Sequence, residues 1–405
     1  MMRQKIIYIT LILFGLFPIT PNYLKGFPVI MLLLLSIKYY YGSRKKKLKF
    51  KKMLFFSGIY LLFLISLFYT SNFSNIGGVL TTRLSLIVIP ISFTLLEASN
   101  FTLKKNDLNI FFNLFIISST FFCSLILIKI ISSGYYNDDI NIGELYYILT
   151  NDFYKINQHP IYTSFFISLA IIFALKNILE TDKIFFVLIL IIGILLMSYI
   201  LVFLSRKGVM IGLIITIFIL IYRNIKERKL KFTLLTFILI FSILFSFSSV
   251  AKKRFNEMFL NRTYSQVDDF NSTSIRFVIY NCDFQLMKNF YLFGVGIGDV
   301  QTELNKCYKN KADFLTESNY NSHNQYVSYI LSNGFLGFIW LFTLLILSFK
   351  KAIILKENLF FSIIIFFSII LFFENILERQ SGVILFMFLI CLINFNIKDD
   401  NKIEK

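Results

Sequence analysis

Charge is scarce in this sequence. Only 16% of its 405 residues are Asp, Glu, Lys or Arg, while 57% are hydrophobic and 50 are Phe; ordinary soluble domains carry roughly 25% charge. The shortage excludes a water-solvated globule, which has no way to cover so much apolar surface. Histidine is rarer still, with only His159 and His323, and the four cysteines are scattered. Neither type clusters at ligand spacing, and the pairs Asp138-Asp139 and Asp268-Asp269 are weak signals, so no metal site and no cofactor is expected. No small-residue cleavage site follows the first apolar stretch, although Arg3 and Lys5 precede it, so that stretch reads as an anchor rather than a signal peptide. Acidic residues number 23 against 41 Lys and Arg, a net charge of +18. The positive charge sits in short runs between apolar segments, as in a polytopic membrane protein, and nucleic acid is not an expected partner.

What the sequence has is apolar runs. A span needs about 20 mostly apolar residues to cross the hydrocarbon core, and twelve segments qualify: 6–20, 26–42, 53–71, 84–97, 109–132, 160–177, 183–204, 208–223, 231–251, 324–349, 357–375 and 382–397. The expected fold is therefore an all-α polytopic membrane protein of about twelve transmembrane helices. Residues 1–251 hold the first nine spans, 252–323 a large external loop module, 324–397 the last three spans and 398–405 a cytoplasmic tail. With the N-terminus inside, the basic run from Arg44 to Lys52 falls in the first internal loop. Lys104-Lys105, Arg223 to Lys231, Lys350 to Lys356 and the tail from Lys398 then also fall inside.

The same alternation gathers the unusual polar residues on the outer side. Ser205-Arg206-Lys207-Gly208 is wedged between two long spans, where a guanidinium is costly unless it faces a polar cavity or snorkels to the interface. Arg276 follows Ser272-Thr273-Ser274 in what reads as an amphipathic external helix; an arginine so placed is, taken alone, more often a surface charge. His323-Asn324 stands where the loop re-enters the membrane. An imidazole there suits a general base for a hydroxyl, or simply a hydrogen-bonded interfacial histidine. Gly294, Gly296 and Gly298 lack the strand-to-helix context of a nucleotide motif and read as a backbone turn. Cys282 and Cys307 share the external loop, where they either pair or remain free thiols.

Together these pieces resemble the O-antigen ligase and polymerase family, bacterial membrane enzymes that join lipid-linked glycans. The resemblance lies in Ser205-Arg206-Lys207-Gly208 after a long span, in Arg276 on a large external loop and in the Phe293-Gly294-Val295-Gly296 turn. It continues in His323-Asn324 followed by Asn333-Gly334-Phe335-Leu336-Gly337. Arg83 with Pro90, His159-Pro160-Ile161-Tyr162, and Glu374 with Glu378-Arg379 fit more loosely.

The resemblance implies a C-type membrane glycosyltransferase-like fold in the bacterial inner membrane, with both termini cytoplasmic. It implies a metal-independent, inverting transfer of glycan from an undecaprenyl diphosphate donor at the periplasmic face, as in lipopolysaccharide biosynthesis. The acceptor is a lipid A core sugar for a ligase, or another lipid-linked repeat for an O-antigen or exopolysaccharide polymerase; protein O-glycosylation is a third choice. Arg206 and Arg276 would stabilise the diphosphate leaving group, with Lys207 secondary, and His323 would take the acceptor's proton. Asn324, Tyr162, His159, Glu374, Arg83, Gly294 and Gly296 complete the expected substrate-binding set. Two other classes stay open: a lipid or polysaccharide transporter, which would bury polar residues near the midplane of repeated halves, and a scaffold using the loop as a binding module.

Overall fold

The computed structural model describes residues 2–43, 47–101, 103–132, 149, 156–224, 252, 256, 272–309, 311–395 and 397–398. The expected ninth span, 231–251, and the first part of the external loop lie outside the described residues. The other eleven expected spans each hold a helix: α1 (Met2–Gly15), α2 (Phe27–Gly42), α3 (Phe50–Ser66), α4 (Ile76–Arg83) leading into α5 (Ser85–Ala98), α6 (Lys105–Ser132), α7 (Pro160–Glu180), α8 (Ile184–Leu204) and α9 (Lys207–Asn224). After these come α10 (Ser272–Phe290), α11 (Val300–Lys309) and α12 (Phe314–Glu317) of the loop module, then α13 (Gln325–Ile354), α14 (Asn358–Phe373) and α15 (Gln380–Asn394). Seven described segments are long and apolar enough to cross a membrane, and α14 and α15 are shorter apolar helices. The molecule is an all-helical polytopic membrane protein; the only strand pairing among the described residues joins Leu103–Lys104 to Ile397–Lys398.

The boundaries follow local chemistry. Pro160 opens α7 at a position where its missing N–H costs nothing, and the His159 side chain caps that helix by accepting from the Ile161 N–H. Asn324 caps α13, its side-chain oxygen accepting from the Tyr326 and Val327 N–H groups. At Ser205 the backbone turns left-handed (φ 50°) and stops α8, and α9 starts two residues later. Gly334 interrupts α13 with φ 65° and ψ −165°, a region essentially reserved for glycine. The broken turn is bonded from outside: Val295 N–H donates to the Leu331 carbonyl and Phe335 N–H to that of Tyr291, each at 2.7 Å.

Packing sorts the helices into lipid-facing and enclosed ones. α8 leaves Ile184, Phe185, Leu188, Ile189 and Ile192 exposed, an apolar stripe that a soluble protein would not present and a bilayer covers. In α15 every residue from Ser381 to Ile393 is buried, so protein rather than lipid surrounds it. That enclosure is why a segment too short for an exposed span is accommodated. Around it stack Phe14 on Phe388 at 3.8 Å and Phe367 against Phe386 at 5.0 Å. The loop module has a core of its own, built from Ile275, Val278, Ile279, Leu304, Tyr308 and Leu315 and reaching Leu331 of α13. A disulfide joins Cys282 to Cys307 and so α10 to α11, which decides between the two readings left open by the sequence.

A candidate active site at one end of the bundle

Three elements converge on one carboxylate. Glu374 follows α14 in extended backbone (φ −147°, ψ 146°) and is buried, its side chain 3% exposed. One oxygen accepts from Arg276 Nη2 at 2.5 Å, and the other lies 3.1 Å from His323 Nδ1. Burial pushes this carboxyl up, but Arg276, His323 and Arg206 more than offset it and hold Glu374 down at about 2. It is therefore ionised at any physiological pH.

Each partner is delivered by a local device. Arg276 rides one turn into α10, whose start is tied to the start of α9 by Lys207 Nζ donating to Thr273 Oγ1 at 3.1 Å. Arg206 occupies the reversal between α8 and α9. Gly208 lets α9 press against the end of α14, since a Cβ there would run into the Phe373 side chain, and the Arg206 charge acts on Glu374. His323 sits just before the capped start of α13 in left-handed backbone (φ 44°), its N–H donating to Asn321 Oδ1 at 3.1 Å. With Glu374 ionised, Nδ1–H is the donor to it, which leaves the Nε2 lone pair as the basic position.

The second histidine is set up differently. His159 Nδ1 accepts the Ile161 N–H at 3.2 Å, so the ring's proton belongs on Nε2. Burial, then Arg379, then Arg206 push His159 down to about 3, and the ring is a neutral hydrogen-bond donor at neutral pH.

The remaining expected residues divide. Tyr162 donates to the Asn375 and Ile376 carbonyls at 3.3 Å, and the Asn324 side chain is committed to its helix; both hold the site's walls. Arg83 is buried against the Phe63 ring (5.3 Å) with Nη1 donating to the Val79 carbonyl. Gly294 lies against the broken turn of α13 and serves its backbone clamp, whereas Gly296 lies against Thr70. The connection after Glu374 fits the family pattern only loosely in sequence but is densely bonded in the structure. There Glu378 accepts from Ser328 Oγ (2.8 Å), Asn375 Nδ2 (2.6 Å) and Asn321 Nδ2 (2.8 Å), and Arg379 stands exposed over the Tyr162 ring at 5.9 Å. The signal was present as two charges inside a six-residue connection. Asp283 on α10 had no signal; its carboxylate is buried with no hydrogen-bond partner among the described residues.

A helical membrane bundle carrying guanidiniums, imidazoles and a buried carboxylate at one end defines the class: a polytopic membrane protein with a cationic polar site. Residues 192–342 match the family model described as O-antigen ligase, which supports assignment to the O-antigen ligase and polymerase family. The match takes in Arg206, Arg276 and His323 and stops short of Glu374 and Arg379. This is a family of membrane glycan ligases and polymerases, and it implies a membrane glycosyltransferase-like enzyme acting on lipid-linked glycans. No curated protein matches the chain.

Proposed function

We propose that the protein transfers a glycan from undecaprenyl diphosphate to an acceptor hydroxyl at the periplasmic face of the inner membrane, in the manner of an O-antigen ligase. The observation that carries this reading is Glu374 bonded to both Arg276 and His323. A buried carboxylate that orients an imidazole makes that imidazole a competent base, and the same carboxylate fixes the direction of a guanidinium. In the reaction the acceptor oxygen attacks the anomeric carbon while His323 Nε2 takes its proton. The bond from that carbon to the phosphate oxygen breaks, with inversion, and undecaprenyl diphosphate leaves. Its growing negative charge meets Arg206 and Arg276, fixed before the reaction begins; Arg276 gives one of its five N–H donors to Glu374 and keeps the rest.

The Cys282–Cys307 disulfide supports an extracytoplasmic loop, since such bonds persist in oxidising compartments. The proposed mechanism uses no metal. The test is reconstitution of the purified protein with an undecaprenyl diphosphate glycan and two competing acceptors, a lipid A core sugar and a second lipid-linked repeat. Transfer is expected with the parent, unchanged by chelator, and lost in Arg206→Ala and Arg276→Ala. Activity that survives both substitutions, or that chelator abolishes, rejects the mechanism. The acceptor consumed separates a ligase from a polymerase.

A further inference from the structure

Among the described residues Arg206, Arg276 and Arg379 lie at this end of the bundle, and they are not equivalent. Arg276 is committed to Glu374 at 2.5 Å, so part of its charge is neutralised before any ligand arrives. Arg379 is different. It is exposed, has no hydrogen bond or ion pair among the described residues, and its recorded contact is with the Tyr162 ring at 5.9 Å. The Tyr162 ring in turn meets the His159 ring edge-on, their centroids 6.2 Å apart, so Arg379 and His159 share Tyr162 as a neighbour. The Arg379 backbone is fixed as well, because its carbonyl accepts from the Gly382 and Val383 N–H groups at 3.1 Å and so opens α15.

Behind this arrangement lies a buried ammonium. Lys25, just ahead of α2, is 0% exposed. Its Nζ donates to Asn22 Oδ1 at 2.9 Å, to Ser381 Oγ at 3.0 Å and to Gln158 Oε1, and it lies over the Phe17 and Phe166 rings at 5.4 and 5.3 Å. Burying an ammonium is costly unless its donors are satisfied, and here each of the three finds a side-chain oxygen. Two of those acceptors adjoin the outer site: Gln158 precedes His159, and Ser381 is two residues beyond Arg379. One cation therefore ties the entry to α2, the cap of α7 and the start of α15 into a single unit.

We propose that Arg379 is a further ligand of the donor's diphosphate, and that Lys25 is the positioning residue that holds Arg379 and His159 in place to receive it. The inference rests on the diphosphate reading above and adds to it a second cationic station, next to a neutral imidazole donor and free of a carboxylate partner. A diphosphate offers two phosphate groups. Arg206 and Arg379 suit the pair, and Arg is favoured over Lys there because its planar fork binds phosphate bidentately.

The experiment is equilibrium binding of undecaprenyl diphosphate to the full-length protein in nanodiscs, with undecaprenyl monophosphate as the comparison. Arg379→Ala is expected to weaken diphosphate binding at least tenfold and monophosphate binding much less, with Arg379→Lys between parent and Ala. Lys25→Met is expected to reproduce most of the loss, and the double variant to bind no more weakly than Arg379→Ala alone. A purely structural role for Lys25 would instead add to the loss. If Lys25→Met does not fold, Ser381→Ala and Gln158→Ala, which each remove one of its acceptors, take its place with the same expected non-additivity. Binding by Arg379→Ala within twofold of the parent, while Arg206→Ala falls tenfold, overturns the role of Arg379 and leaves the diphosphate reading standing. Unchanged binding in the Arg206, Arg276 and Arg379 variants alike overturns both. Additive losses overturn the positioning role of Lys25.

Discussion

Glu374 and Asp283 are both buried carboxylates, and they face opposite surroundings. Glu374 is held at about 2, below its usual value, because Arg276 and His323 outweigh its burial. Its contribution to stability is therefore complete above the ordinary carboxylate range and lost as pH falls from there through about 2. Glu374→Gln keeps the shape and removes the charge. It is expected to lower glycan transfer by about 10²–10⁴-fold, the usual worth of a positioned acid–base group. It is also expected to flatten the loss of melting temperature between pH 4.5 and 2 relative to the parent; an unchanged acid limb would show that the ion pair contributes nothing to folding. Among the described residues Asp283 has no ion pair, and Glu378, Tyr308 and Tyr280 are the groups whose electrostatics it shares. Burial, then Glu378, pushes its carboxyl well above the usual range, so stability is lost as pH rises through the window above the ordinary value. Asp283→Asn is expected to raise the melting temperature at neutral pH, with an effect of about 1–3 kcal/mol for an unsatisfied buried group, and to lose that advantage in acid. Equal melting temperatures across pH 4–8 would contradict it.

Element by element, the apolar periodicity of the sequence placed helices well and their relations poorly. Long runs such as 183–204 became α8 with almost the expected limits, because hydrocarbon length fixes a span. The enclosure of α15 was not legible, since a run that is apolar all round looks the same whether lipid or protein surrounds it. The site shows the same split. Arg206, Arg276 and His323 were visible as polar residues out of place beside spans, and Glu374 was one of the looser matches. Its role as the joint between Arg276 and His323 depends on residues about 50 and 98 positions apart, a separation that no local pattern encodes. Gly294, a turn residue that the family resemblance adds to the substrate-binding set, packs with Gly334 in the clamp that joins the loop module to α13. That clamp can be tested. Gly334→Ala places an L-residue where φ is 65° and ψ −165° and drives a Cβ into the Leu292 carbonyl. The backbone strain alone is of order 1–3 kcal/mol. Lower thermal stability is expected, together with loss of transfer, whereas Phe335→Ala, on an exposed apolar side chain of the same turn, is expected to be mild. A Gly334→Ala protein as stable as the parent would mean the clamp is dispensable.

Across the whole molecule, the proposed function requires that the cationic end and the loop module face away from the cytosol. The distribution of charge favours that orientation: Lys350 and Lys351 close α13 at the end opposite Asn324, and positive residues are retained inside. The protein's own thiols make the orientation measurable with little background. Cys123 and Cys391 are buried, and Cys282 and Cys307 are joined to each other, so none offers an exposed free thiol to a maleimide. Lys311, in the loop module, and Lys350, at the far end of α13, are both exposed, and each can be replaced by Cys. In intact spheroplasts a membrane-impermeant maleimide is expected to label Lys311→Cys and to spare Lys350→Cys, which becomes reactive only after permeabilisation. The reverse pattern would put the Arg276, His323 and Glu374 cluster on the cytosolic side, where the Cys282–Cys307 disulfide would not persist. Labelling of both positions without permeabilisation would mean that α13 does not span the bilayer, and the proposed outer placement of Asn324 and His323 would have to be abandoned with it.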